Sequence, residues 1–81
     1  MIPRFKEVEK RKFDTIDGEV EATCCYDANC NASFIEFRLK TGTDDEFDPY
    51  TYVCESDYID GGIDGMSDSE LEDLYHQYTR L

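Results

Sequence analysis

Apolar side chains alternate with polar ones in two runs of the chain, and this pattern predicts neighbouring β-strands. In residues 19–26 every second position is apolar, and in residues 33–40 Ile35, Phe37 and Leu39 share one face. A period of two is typical of a half-buried strand. Asp17 and Gly18 precede the first run and predict a two-residue hairpin turn, and residues 27–31 have the composition of a turn. We therefore expect a hairpin over residues 13–26 that leads into a strand over residues 33–40.

The remainder of the sheet is predicted from one further β-prone run. Residues 50–54 form that run, and regular alternation would place Tyr50, Tyr52 and Cys54 on one face. Acidic residues dominate the loop before it, and the segment 57–66 is too rich in Gly and Asp for regular structure. Residues at the N-terminus, 1–12, fit either a strand or a short helix.

Ser67 and Glu70 mark the start of a C-terminal helix. Their Ser-x-x-Glu spacing is that of a capping box, in which each side chain accepts a hydrogen bond from a backbone N–H of the first turn. The residues that follow at helical spacing form one apolar stripe, made up of Leu71, Leu74, Tyr75, Tyr78 and Leu81. Such a stripe needs a sheet to cover. The predicted fold is a small α+β domain over residues 1–81, with an antiparallel β-meander of three or four strands and the C-terminal helix packed on one face.

The apolar content limits the size of the core. Leu, Ile, Val and Phe account for 17 of the 81 residues, and a chain of this length buries only about 60% of its unfolded surface. Added stabilisation could come from a partner, a homodimer contact, a metal or a disulfide. The sequence shows no secretion signal and no run of apolar residues long enough to span a bilayer. We therefore expect a cytoplasmic protein with mostly reduced cysteines.

Negative charge is concentrated in the second half of the sequence. The net charge is −12, from 20 acids and 8 bases. Residues 1–40 carry seven bases and eight acids, whereas residues 41–81 carry twelve acids and one base, Arg80. Such a chain repels nucleic acids and anionic membranes and is attracted to basic surfaces. Because ordinary soluble surfaces intersperse both signs, this distribution predicts a basic protein as the partner.

The candidate partner-binding residues come from the acidic segments and from a tyrosine beside the Gly/Asp-rich segment. The alternative explanation is that the acids only confer solubility, and the helix dipole already favours those in the first turns of the helix. The acids between positions 44 and 64 have no such local explanation. Tyrosine is included because it offers contact area and a hydrogen-bonding tip. The predicted set is Asp44, Asp45, Glu46, Asp48, Glu55, Asp57, Tyr58, Asp60, Asp64, Asp68 and Glu72.

No metal site is predicted. Structural zinc sites usually pair ligands two to four residues apart, twice, but Cys54 stands alone, and alternation places Cys24 and Cys25 on opposite faces. Burial of reduced cysteines in the core is the preferred interpretation. The segment that begins at Asp60 partly matches a calcium-binding EF-hand loop. Its twelfth position is Leu71, where a bidentate glutamate is required.

No catalytic site or cofactor is predicted either. His76 is the single histidine, and it falls on the polar side of the predicted helix, four residues after Glu72. The sequence contains no phosphate-binding loop and no nucleophile elbow. A carboxylic acid that donates protons needs burial to raise its pKa, which an exposed acidic loop does not provide.

Together these features predict a non-catalytic acidic binding protein. The main hypothesis is an inhibitor that occupies the basic nucleic-acid-binding surface of a target. It would act as a DNA or RNA mimic, of the kind that phages use against restriction or CRISPR systems. This hypothesis rests on composition, and no motif identifies a family. The alternative is a small adaptor or homodimeric interaction module whose acidity only gives solubility.

Overall fold

The alternating and helical patterns form the elements that they predict. The computed structural model describes residues 5–59, 62, 63 and 65–80. The described elements are β1 (Phe5–Thr15), β2 (Gly18–Asp27), β3 (Ala32–Lys40), β4 (Tyr50–Glu55) and α1 (Asp68–Thr79). The strands pair antiparallel in chain order, so the predicted meander with a C-terminal helix is confirmed. The segment left open at the N-terminus extends β1 from Phe5 onward.

The core lies between one face of the sheet and α1. Two residues of the predicted helical stripe, Leu71 and Tyr75, are buried there with at most 1% exposure. Leu74 packs against the same cluster, and Tyr78 is half-buried; Leu81 lies outside the described residues. Ile63 is fully buried although it comes from the Gly/Asp-rich segment, where no periodicity identified it. The face of the sheet that α1 does not cover is called the outer face below.

The predicted capping box of α1 is confirmed. The Ser67 hydroxyl accepts a hydrogen bond from the Glu70 N–H at 3.2 Å, and the Glu70 carboxylate accepts one from the Ser67 N–H at 3.3 Å. These bonds satisfy backbone donors that the first turn cannot pair internally. Among the described residues no helix is both long and apolar enough to cross a membrane.

The β1–β2 turn differs by one residue from the predicted one. Thr15 pairs with Gly18, so the two loop residues are Ile16 and Asp17 rather than Asp17 and Gly18. Gly18 has a φ of 125°, which residues with a Cβ rarely adopt. The Thr15 hydroxyl accepts a hydrogen bond from the Asp17 N–H and donates one to the Gly18 carbonyl oxygen. Glycine is therefore needed just after the turn rather than within it.

Strand β2 is buried on both faces, whereas its alternation predicted one buried face. On the core-facing side Val20, Ala22 and Cys24 are inaccessible, and on the outer face Thr23 and Cys25 are buried too. Thr23 pairs with Lys10 of β1 and with Glu36 of β3, whose longer side chains flank it. A central strand with short side chains is thus covered by its neighbours on the side that lacks a helix.

A β-bulge interrupts the alternation of β1. Glu7 lies opposite Cys25 and Glu9 lies opposite Cys24, so Val8 occupies the bulge. Because cross-strand partners share a face of the sheet, the residues before and after Val8 follow opposite alternations. The side chains before the bulge, including Phe5, consequently belong to the outer face.

A second bulge interrupts the alternation of β4, which the sequence predicted to be regular. Tyr52 lies opposite Arg38, and Cys54 lies opposite Phe37, so Val53 occupies the bulge. Tyr52 and Cys54 therefore lie on opposite faces, and the expectation that they share one is wrong. The bulge turns Cys54 toward the core, and the residue after it, at the end of β4, returns to the outer face.

None of the four cysteines, all of which the structure describes, forms a disulfide, and they do not share one environment. Cys24 and Cys25 are buried on opposite faces of β2, as the alternation predicted, and Cys54 is half-buried. Cys30 is exposed in the β2–β3 turn, so core burial is wrong for this residue. It follows Asp27, whose carbonyl oxygen accepts a hydrogen bond from the Cys30 N–H at 3.3 Å.

Candidate functional site

Charged side chains of both signs occupy one end of the outer face. Glu21 Oε1 lies 3.7 Å from Arg38 Nη1 and 4.0 Å from Lys10 Nζ. Glu19 Oε2 lies 3.8 Å from Lys40 Nζ. The bases on β1 and β3 are thus balanced in part by acids of the strand between them.

Two acids of the β3–β4 loop join this charged end of the sheet. Asp44 pairs with Lys40, and Asp48 pairs with Arg38. These cations hold the pKa of both carboxyl groups below the usual range, and Asp48 Oδ1 also accepts a hydrogen bond from the Tyr50 N–H at 3.3 Å. The expectation that the loop acids have no local explanation is wrong for these two, because bases from the first half of the chain lie beside them.

A cleft of about 690 Å³ lies between the outer face and this loop. Four cationic and five anionic side chains line it, so its charge is nearly balanced. Phe47 lies at its rim with the side chain fully exposed. Because the two signs are interleaved, this cleft does not present a field of one sign to a partner.

Six exposed acids of the second half form no ion pair with a base among the described residues. They are Asp45, Glu46, Glu55, Asp57, Glu70 and Asp73. The Asp57 N–H donates a hydrogen bond to the Tyr78 hydroxyl at 3.3 Å, which holds the segment after β4 against α1. These acids are called the unpaired acids below.

The predicted acids of the helix have weak partners. Asp68 Oδ1 lies 3.8 Å from Arg11 Nη1, and Glu72 Oε2 lies 3.8 Å from His76 Nε2. Arg11 is also a structural residue, since its guanidinium donates hydrogen bonds to the carbonyl oxygens of Ile63 and Met66. The other two predicted members, Asp60 and Asp64, lie outside the described residues.

Tyr58 presents its ring to solvent while its hydroxyl is held. The side chain is 51% exposed. The hydroxyl donates a hydrogen bond to Asp27 Oδ2 at 2.7 Å and accepts one from the Cys30 thiol at 3.6 Å. The Asp27 carboxylate favours the neutral phenol and raises the pKa of Tyr58. The Tyr58 hydroxyl is therefore already hydrogen-bonded within the protein, and the exposed ring is the part that can contact a partner.

Two aromatic residues beside Tyr58 were not among the predicted site residues. The Phe34 ring lies 6.0 Å from the Tyr58 ring and 5.9 Å from the Phe5 ring, measured between centroids, with both pairs edge-to-face. Because Ile35, Phe37 and Leu39 share the apolar face of their strand, regular alternation places Phe34 on the other face. An aromatic residue on that otherwise polar face was the sequence feature that could have identified it. No signal placed Phe5, because the bulge in β1 was not foreseen.

These rings line a groove of about 280 Å³, and two of the unpaired acids, Glu55 and Asp57, adjoin them. Its lining residues are Phe5, Phe34, Glu55, Ser56, Asp57 and Tyr58. This set is called the aromatic groove below. It brings two of the predicted acids and the predicted tyrosine together, and it lies toward the end of the sheet opposite to the charged cleft.

Within the described ranges, no group of three or more His, Cys, Asp or Glu side chains is arranged to hold a metal ion. Comparison with known protein families, curated proteins and solved structures gave no match. A proposal about function therefore depends on the chemistry of the surface.

Proposed function

We propose that this protein binds the basic nucleic-acid-binding surface of a target protein and blocks access of DNA or RNA to it, without catalysing a reaction. The unpaired acids are the observation that carries the proposal. They belong to a stretch, residues 41–79, that contains no Lys or Arg. Because they form no ion pair within the part of the chain that the structure describes, their field would reach into solvent and steer a basic partner toward the protein.

The internal ion pairs narrow the proposed contact surface. Asp44 and Asp48 are partly neutralised by Lys40 and Arg38, so they contribute less to the external field. We assign the main contact to the end of β4, where unpaired acids adjoin the aromatic groove. Long-range attraction would speed association, and desolvated aromatic rings would supply the short-range contact energy.

The proposal implies a cytoplasmic location, in the host cell if a phage encodes the protein. Suitable targets are enzymes whose DNA or RNA groove is lined with Lys and Arg, such as a restriction enzyme or a CRISPR effector. A nucleic-acid duplex carries a regular, dense array of negative charges. A protein with a one-signed acidic surface competes for the same groove.

The test is competition between this protein and nucleic acid for one identified target. The full chain is immobilised, captured proteins are identified by mass spectrometry, and binding of DNA or RNA to the purified target is measured by fluorescence anisotropy. We expect this protein to displace the nucleic acid, and we expect its association rate to fall as salt rises. Complex formation that is indifferent to salt and to added nucleic acid would overturn the proposal.

Charge reversal at Glu55 provides the matched variant. Glu55→Lys changes the net charge by two at an exposed outer-face position of β4. Asp14→Lys makes the same change at an exposed outer-face position of β1, near the charged end of the sheet. We expect Glu55→Lys to weaken target binding at least about tenfold and Asp14→Lys to weaken it much less. Equal effects would show that only the total charge matters.

A homodimer is the second candidate, and one observation favours it. β4 is an edge strand of the sheet that the described residues form. It exposes Tyr52 by 52% and Val53 by 38%, and an exposed edge can pair with a second copy. Sedimentation equilibrium of wild type and Tyr52→Lys decides between the inhibitor and the homodimer. A stable wild-type dimer that Tyr52→Lys dissociates supports the homodimer, provided that neither protein competes with nucleic acid for a target.

A further inference from the structure

The aromatic groove combines three rings with two carboxylates. The exposed fractions of Phe5 and Tyr58 are 50% and 51%, and Phe34 lies between their rings. Glu55 and Asp57 adjoin the rings, and the lining residues that the structure describes include no Lys or Arg. The groove therefore offers π-faces and negative charge side by side.

The two β-bulges create this arrangement. With regular alternation, Lys10 and Lys12 on the outer face of β1 would put Phe5 on the helix side. The bulge at Val8 moves it to the outer face. The bulge at Val53 likewise brings Glu55 opposite Glu36, on the face where Phe34 lies. Bulges near the ends of edge strands often redirect side chains toward a site.

The groove is organised before any partner arrives. The Tyr58 hydroxyl is held by the fully buried Asp27, which fixes one end of the ring. The Ser56 hydroxyl accepts a hydrogen bond from the Ile35 N–H at 2.9 Å, and the Ile59 N–H donates one to the Ser33 carbonyl oxygen at 2.7 Å. The segment that carries Asp57 and Tyr58 is therefore bound to β3 on both sides. A ligand would meet rings that are already in position, which lowers the entropic cost of binding.

We propose that the aromatic groove binds the side chain of an arginine on the partner protein. A guanidinium group is planar, stacks on aromatic faces and donates paired hydrogen bonds to carboxylates. The rings supply the first kind of contact, and Glu55 and Asp57 supply acceptors for the second. A purely apolar side chain would leave both carboxylates desolvated and unpaired. This inference rests on the proposed function, in which the partner surface is basic.

A peptide titration tests the inference without the target. The full chain is titrated at low salt with Ac-Gly-Arg-Gly-NH2, and aromatic and backbone chemical shifts are followed by NMR. The matched peptides carry lysine or citrulline, since citrulline keeps the shape of arginine without its charge. We expect saturable shifts at Phe5, Phe34 and Tyr58, with a Kd on the order of millimolar, weaker binding of lysine, and none of citrulline.

Three outcomes of the titration would overturn the inference. Citrulline could bind as tightly as arginine, which would mean that the contact is not cationic. Lysine could bind more tightly than arginine, which would mean that planar stacking is not used. The shifts could be confined to residues of the 690 Å³ cleft, which would place the arginine among the acids of that end instead.

Phe34 offers a matched pair of variants. Phe34→Leu keeps an apolar side chain but removes the ring from the groove, whereas Phe47→Leu removes a fully exposed ring outside it. We expect the first to weaken the arginine peptide about two- to fivefold, in line with one cation–π contact, and the second to have no effect. The free energy of unfolding is measured for both variants.

If Phe34→Leu disturbs the fold, Glu55→Gln is used instead, because it removes the charge but little volume. Unchanged affinity of Glu55→Gln for the arginine peptide would overturn the role of the carboxylate.

The failure of this inference is distinct from the failure of the proposed function. A protein that displaces nucleic acid from its target but shows no arginine-specific shifts has the function with another contact. If the protein binds the arginine peptide in the groove but does not displace nucleic acid from any captured target, the arginine site is supported and the proposed inhibitory function is overturned.

Discussion

The hydroxyl of Tyr75 donates a hydrogen bond to Asp17 Oδ2 at 2.8 Å, which joins α1 to the β1–β2 turn. Arg80 Nη2 lies 2.8 Å from both oxygens of the same carboxylate, so one turn residue holds Tyr75 of α1 and the residue that caps its C-terminus. The Tyr75 ring is buried, with its centroid 5.6 Å from that of Phe37. One side chain thus fills the core and anchors the orientation of the helix.

Removing the Tyr75 hydroxyl tests this anchor. Tyr75→Phe keeps the ring in the core but leaves the Asp17 carboxylate with one partner fewer. We expect the free energy of unfolding in urea to fall by about 1 kcal/mol, the usual net contribution of such a hydrogen bond. Tyr78→Phe is the control, since its hydroxyl contacts the exposed Asp57. A loss for Tyr78→Phe as large as for Tyr75→Phe would contradict the assignment.

Acid should weaken the ion pair between Asp48 and Arg38. The hydrogen bond to Arg38 holds the folded-state pKa of Asp48 below its ordinary value of 3.8. The unfolded chain therefore binds the proton first, and the stabilisation is present above that ordinary value and lost as pH falls through the folded pKa. The difference in unfolding free energy between wild type and Asp48→Asn should be constant from pH 7 to about pH 5 and shrink below about pH 4.

The control for the acid prediction is the neighbouring exposed acid of the same loop. Asp45→Asn removes a carboxylate without an ion pair among the described residues, so the interaction with Arg38 stays intact. Urea unfolding of the three proteins at a series of pH values provides the comparison. A wild-type advantage over Asp48→Asn that persists unchanged at low pH would contradict the role of the ion pair.

Ser67 in the capping box should contribute more to the free energy of unfolding than an ordinary surface serine. Ser67→Ala removes the acceptor for the Glu70 N–H, and we expect a loss of about 1 kcal/mol in unfolding free energy with a lower helical signal near the transition. Ser69→Ala is the matched change two residues later, at an exposed position inside α1. It should be neutral or slightly stabilising because alanine favours the helix. Equal losses in the two variants would argue against the cap.

The cysteines should separate into fast and slow classes toward a thiol reagent. Burial, with a smaller contribution from Glu36, raises the pKa of the Cys25 thiol to about 11, and the thiolate is the reactive form. Cys30 is exposed. At about pH 8 we expect one rapid equivalent of reaction, absent in Cys30→Ser, and the Cys25 thiol to react only after denaturation. Rapid reaction that survives Cys30→Ser would show that another thiol is accessible.

Local patterns were sufficient to predict β2, β3, β4 and α1, whereas most of β1 lay in a segment that fitted either a strand or a helix. The two-residue period around Ile35 and Phe37 and the helical spacing of Leu71 and Tyr75 each reflect the geometry of one element, and burial follows from covering the apolar face. The Ser67 cap is equally local, since its partners lie three residues apart. For such features the sequence itself determines the structure, because the interacting groups are close along the chain.

Contacts between elements determined the candidate site. The bulges at Val8 and Val53 depend on how whole strands pair, and they decide that Phe5 and Glu55 share a face with Phe34. The ion pair between Asp48 and Arg38 likewise joins a loop to a strand. Total charge and its distribution along the chain could be counted from the sequence. Which acids are neutralised and which remain available could not, because neutralisation depends on distances that only the folded sheet sets.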